Sequence, residues 1–261
     1  MKSPTGPRQG LTLLLLACAA LAAQASPTVY EGYVASPDQK VDPSGLPATS
    51  RSAFQATLDA ATIKREDFEV FSRNDVPSTL FGGVASLLNV PSGTGRIENV
   101  AVDVSGDFPG RFNTTGTNTV PNAGTWWQST DTFTIDFGDA AYSAFGFYGT
   151  DIGDFNGALD ITFSLDGGSI HTEIISDTPA ETGSLRFWGI TDSNRKFDKL
   201  VFRVYFQNAC EVPNECVPDF AGFDDLIVAN LPTGQPMPEP TSLALVGLSL
   251  LGLAASRRRR D

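Results

Sequence analysis

The chain has 261 residues, 30 acidic against 18 basic, and a formal net charge of −12 at pH 7. That balance excludes a nucleic-acid footprint, which needs clustered Lys and Arg against phosphate, and it disfavours anionic membrane surfaces. Hydrophobic residues make up 41% of the chain, enough to bury the core of one domain of about 200 residues.

Taken in chain order, residues 1–25 read as a signal peptide. Lys2 and Arg8 precede an apolar run from Leu11 to Leu16, and Ala23-Gln24-Ala25 offers a small-x-small cleavage pattern before Ser26. Leu15-Leu16-Ala17-Cys18 is a loose lipobox, but ordinary cleavage after Ala25 fits the short apolar run better. Residues 26–66 form an N-terminal segment, poor in periodicity until a short helix. That helix is expected from Ser50 onward, capped by Thr49 or Ser50, with Phe54, Leu58 and Ala61 on one face.

From residue 67 to 230 the pattern switches to period two. Residues 67–71 alternate, as do Val100, Val102 and Val104 with their polar neighbours. Phe133, Ile135 and Phe137 share one face, and so do Leu159, Ile161, Phe163 and Leu165. Asp166-Gly167-Gly168 signals a hairpin leading into a strand at 170–175. Further strands are expected at 184–190, 200–206 and 226–228. Many short strands punctuated by Gly, Asn and Asp predict an all-β chain, a jelly-roll-like β-sandwich with one short N-terminal helix.

The cysteines suit an oxidising compartment. Once the signal peptide is removed only Cys210 and Cys216 remain, and so close a pair reads as a small disulfide loop rather than a zinc site. Closing it should contribute only about 2 kcal/mol.

A Pro-rich linker at 231–237 leads to the segment 238–261. Pro238-Glu239-Pro240 is followed by an apolar run at 241–255 and then by Arg257, Arg258, Arg259 and Arg260. As a transmembrane helix the run would span roughly 23 Å, short of the ~30 Å hydrocarbon core. Local thinning and snorkelling arginines accommodate such a mismatch, and the arginines hold the C-terminus in the cytoplasm. Removing both ends leaves twelve basic against twenty-eight acidic residues in the body, a balance suited to solubility outside the cell.

The triplet, apolar helix and arginine cluster together resemble the PEP-CTERM sorting signal of Gram-negative bacteria. The resemblance implies an exosortase as partner, which removes the tail after export, and only transient residence in the inner membrane. It also implies a role at the cell surface or in a matrix of extracellular polysaccharide. Three stretches of the body are similar to a recurrent, uncharacterised group of PEP-CTERM proteins: residues 145–155 (FGFYGTDIGDF), 185–190 (LRFWGI) and 222–226 (GFDDL).

The closing Asp224-Asp225-Leu226 strand is also similar to the last strand of jelly-roll carbohydrate-binding modules. There an acid near the first strand and one in the last often share a structural calcium; Glu69 with Asp224 or Asp225 correspond to them. The loop at 149–154 offers Asp151 and Asp154 as further candidate calcium ligands, although its spacing is not that of an EF-hand, and Asx turns between two strands are the other reading of both. Trp126 and Trp127, in a Gly/Asn/Thr-rich stretch, are candidates for stacking on a sugar, with at most one exposed if the two lie in a strand.

Catalytic signatures are lacking. GxSxG, HExxH, Walker A and dinucleotide motifs do not occur, and the single histidine, His171, is expected on the polar face of a strand. The expected function is therefore an exported, exosortase-processed surface or matrix protein, non-catalytic and associated with exopolysaccharide. The alternatives are a carbohydrate-binding module with a structural calcium, and a secreted glycan hydrolase built on two carboxylates.

Overall fold

The computed structural model describes residues 26–34, 45–99, 124–150, 152, 157–176, 185–206 and 221–233. The expected strand at 100–104, Asp151 and Asp154, the cysteine pair and both terminal signals lie outside the described residues. In chain order the elements are β1 (Thr28–Val34), α1 (Leu46–Gln55), β2 (Lys64–Glu66), β3 (Thr79–Leu80), β4 (Ala85–Leu88), β5 (Gly95–Asn99) and β6 (Thr125–Ser129). They continue with β7 (Phe133–Asp136), β8 (Ala144–Thr150), β9 (Gly157–Leu165), β10 (Gly168–Ser176), β11 (Leu185–Thr191), β12 (Lys199–Phe206) and β13 (Ala221–Ala229).

These strands pair antiparallel into two sheets. The first runs β1-β11-β8-β13-β6-β5, with β2 also paired to β13; the second runs β10-β9-β12-β7-β4-β3. From β7 onward the chain alternates between sheets, apart from the β9–β10 hairpin, which gives the crossings of a jelly-roll-like sandwich. The hairpin turn is the one expected: Asp166 and Gly167 have φ of 51° and 78°, the left-handed pair that a two-residue turn requires.

Alternation supplies the core. Phe133, Ile135, Leu159, Ile161, Phe163, Phe202 and Phe223 all meet between the sheets and are at most 3% exposed. Phe133 and Phe202 stack with ring centroids 4.5 Å apart, and Phe145, Phe147 and Phe223 pack around Phe202. A second, smaller cluster lies on the outer face of the first sheet, where α1 covers β1, β11 and β8. Its centre is Phe54, fully buried against the facing glycines Gly146 and Gly189. A Cβ on either glycine would come within 3.0 Å of the Phe54 ring, so the missing side chains form the slot that seats the helix.

Two local expectations are corrected. The helix spans Leu46–Gln55 rather than starting at Ser50, with Gly45 as its N-cap and Pro47 in its first turn. Proline is suited to that turn because its missing N–H has no helical partner there. The helix ends before Leu58 and Ala61, where Asp59 Oδ1 accepts the Ala61 N–H (3.1 Å) and forms a turn. Residues 67–71 are not a strand. Phe68 has φ of 56°, the Asp67 carboxylate accepts the Glu69 N–H (3.2 Å), and the chain turns away after β2. The apolar alternation there arises from Phe68 entering the core while Val70 stays 82% exposed.

Candidate functional site

The densest collection of buried charge lies where β13 changes partners. All nine residues of β13 are buried, with β8 along one side and β6 followed by β2 along the other. Against β8, Asp224 pairs with Tyr148 and Ile227 with Gly146, so β13 carries one extra residue, a β-bulge. Asp225 takes the left-handed φ of 49° that such a bulge demands. Asp224 shares the outer face with Tyr148, while Leu226 returns to the core between the sheets.

Asp225 meets α1 on that outer face. Arg51 Nη1 lies 3.3 Å from Asp225 Oδ2, and the guanidinium sits over the Tyr148 ring at 5.1 Å from its centroid. Burial pushes the Tyr148 hydroxyl up, opposed by the nearby Arg51 charge. The Asp224 carboxylate accepts the Asp225 N–H (2.7 Å), tying the two acids together across the bulge.

On the other side of β13, Glu66 is opposite Leu226. Its two carboxylate oxygens accept backbone N–H groups from Phe68 (3.1 Å) and Phe81 (2.5 Å), both residues with left-handed φ. Phe81 follows β3 of the second sheet, so this one buried carboxylate links the sheets along their margin. Burial raises Glu66, and its two N–H donors oppose the rise only in part. Glu69 is raised by burial and by the charges of Asp67 and Asp225, while its Oε1 accepts the Thr125 N–H (3.2 Å).

Glu69 and Asp225 are close enough for the charge of one to act on the other. Among the described residues no group of three or more His, Cys, Asp or Glu is placed to hold a metal ion. The positive charge beside Asp225 is Arg51. Arg51, Glu66 and Tyr148 escaped the sequence reading; an arginine three positions before the buried Phe54, on the helix face turned to the sheet, was the available signal.

The Trp126–Trp127 expectation is corrected. Both lie in β6 at 5% and 1% exposure. Trp127 enters the core against Phe133, and Trp126 lies on the other face, where a Cβ on Gly222 would be 3.2 Å from its ring. Neither presents a free face to a sugar. The small polar residues before them mask a strand whose two sides are both covered.

His171 also differs from expectation. A bulge between Ser169 and His171 shifts the register of β10, placing His171 opposite Phe163 and Glu173 opposite Ile161. Both side chains thus turn inward, paired to each other, and Ile174 turns outward at 63% exposure.

Comparison with known proteins resolves the tail. Residues 238–260 match the model of the PEP-CTERM protein-sorting motif. The chain carries that sorting signal. No curated protein matches the chain. Among solved structures it is similar to the K1 cleaved adhesin domain of Lys-gingipain from Porphyromonas gingivalis W83, at 13% identity and a TM-score of 0.36, covering 66% of this chain and 99% of that one. It is also similar to CBM51-2 in complex with GlcNAc and INT domains from Clostridium perfringens ZmpB (13% identity, TM-score 0.29, 65% of this chain and 32% of that one). A third is the CBM22-2 xylan-binding domain of Paenibacillus barcinonensis Xyn10C (12% identity, TM-score 0.25, 63% and 98%). The two-sheet fold rests on the strand pairing itself. Among the described residues no helix is long and apolar enough to cross a membrane, and the PEP-CTERM segment lies outside them.

Proposed function

We propose that this PEP-CTERM protein is exported, trimmed by an exosortase, and left at the cell surface or in the extracellular matrix as a non-catalytic β-sandwich associated with the cell's own polysaccharide. The sorting motif at 238–260 carries the reading. Its parts divide the work: the Pro-Glu-Pro triplet is the recognition element, the apolar run holds the chain in the inner membrane, and the arginines stop its transfer. The acidic body supports a life outside the cell, where charge keeps a protein soluble.

The buried charges support a structural role. Asp225 faces Arg51, and Glu66 satisfies two backbone donors, so the acids serve the junction of β13 rather than a reacting substrate. A calcium ion is not part of this reading, because Arg51 already supplies the cation beside Asp225. Contact with polysaccharide would use exposed polar side chains, not the buried Trp126 and Trp127.

The test is expression of the full chain in a host that carries an exosortase, with mass spectrometry of the mature product. The expected product lacks the apolar tail and leaves the membrane fraction, whereas Glu239→Ala keeps the tail and stays there. An intact tail on the unaltered protein would refute processing. Retention on the host's extracellular polysaccharide is expected as well, and passage through that matrix at the void volume would remove the polysaccharide part of the reading.

A further inference from the structure

The sandwich has two margins, and they are protected in different ways. At one, β5 is covered by its own chain: the Asn74 N–H donates to the Ile97 carbonyl (2.7 Å) and the Ile97 N–H to the Asp75 carbonyl (2.8 Å). The facing strand there, β3, is only two residues long. At the other margin the end strands are β1 and β10, seven and nine residues long, and among the described residues no strand pairs with the outer edge of either. Long unpaired edges invite pairing with another chain.

These two edges lie on the same side of the molecule. Trp188 of β11 and Phe163 of β9 meet across the sandwich, with centroids 6.4 Å apart. Glu31 of β1 is the cross-strand partner of Trp188, and His171 of β10 is that of Phe163. Each of these polar residues therefore stands one strand outboard of a touching aromatic pair, facing inward. Glu173, also inward, pairs with His171, and Arg186 of β11 pairs with Glu31 and lies over the Tyr33 ring. The side chains of His171 and Glu173 keep 26% and 25% of their exposure, and that of Glu31 keeps 44%. Apolar residues flank them, with Val29 at 42% and Ile174 at 63% exposure. Arg195 donates to the Ile170 carbonyl (2.9 Å), removing an acceptor at the bulged start of β10.

We propose that this margin is a guarded seam, in which inward-facing polar side chains prevent a second copy of the chain from adding its β10 beside this one. A strand added there would extend the sheet over the remaining exposed surface of His171 and Glu173. The hydrogen-bonded pair would then be enclosed without water, and polar side chains buried without full compensation oppose association. The bulge between Ser169 and His171 bends the same edge out of register. The guard does not depend on the sorting reading, since it concerns the folded body alone.

The experiment compares three variants of the full chain in a mild non-ionic detergent, which keeps the C-terminal segment from associating by itself. His171→Val with Glu173→Val removes the inward polar pair. His171→Lys with Glu173→Lys places charge at both positions, and Thr172→Val adds an apolar side chain to the outer face of the same strand. Light scattering after size exclusion is expected to show at least a doubling of mass for the valine pair, rising with concentration. The lysine pair and Thr172→Val should keep the mass of the unaltered protein. Amide exchange along 170–176 should slow only in the associated valine pair, which distinguishes edge pairing from clumping of an unfolded chain. An unchanged mass for the valine pair overturns the proposal. So does association of Thr172→Val, or association without slower exchange on β10.

Discussion

Glu66 and Glu98 are both buried acids, yet they respond to pH in opposite senses. Glu66 has only backbone donors, and burial raises its carboxyl despite them. Its ionised form is thus disfavoured by folding, and the stability gained by protonation is full below the unfolded value and lost as pH rises through the raised folded value. Glu66→Gln offers one carbonyl oxygen and one NH2 in place of two acceptors, so one of the two N–H groups faces another donor. We expect a loss of about 1–3 kcal/mol at pH 7 in urea unfolding. An unchanged midpoint would mean that Glu66 does not hold the margin of the sheets. Glu98 is pushed up by burial, but hydrogen bonds and charge from Arg73 and Arg96 outweigh that and hold it below the usual value. Its contribution is present above the ordinary carboxylate pKa, about 4.3, and is lost as pH falls through the folded value. Glu98→Gln should therefore unfold earlier than the unaltered protein at neutral pH and show a shallower decline on acidification, read from thermal midpoints across the acid range.

The joint between α1 and the first sheet turns on Phe54 and the two glycines beneath it. Gly146→Ala places a methyl 3.0 Å from the Phe54 ring and is expected to destabilise by about 1–3 kcal/mol through overpacking. Phe54→Ala empties the slot and should remove about 3–5 kcal/mol. The double variant should be less destabilised than the sum, because the added methyl occupies space that the ring has left. Strict additivity in chemical denaturation would show that the slot does not seat the helix. Elements of this kind divide into what the sequence showed and what it hid. The strands at 133–136 and 157–165 were readable because apolar residues alternate without interruption, and the Asp166-Gly167 turn announced itself. β10 was found but its faces were reversed, since one bulge residue inverts every side chain beyond it. α1 was placed too late, because Pro47 looks like a breaker until the first turn of a helix is recognised as its natural place. At most one of Trp126 and Trp127 was expected to be exposed, and only the second covered face of β6 shows why neither is. Arg51 carried only its spacing from Phe54 as a signal, since its partner Asp225 lies far along the chain, and nothing local links Glu66 to Phe81.

At the scale of the whole molecule, the buried charge of the described residues sits at strand junctions and margins. The acidic surplus, the guarded seam and the covered β5 edge all act against self-association. β13 adds something of another kind. It is the last strand before the sorting tail, and it sits inside its sheet with β8 on one side and β6 and β2 on the other. If the mature protein is attached to the surface from its C-terminal side, any drag on the body enters through this strand. The load then runs along β13 and is resisted by several backbone hydrogen bonds at once, in shear, where an edge strand would be peeled away one bond at a time. For such an attachment the last described strand is an interior strand of its sheet and not an edge one.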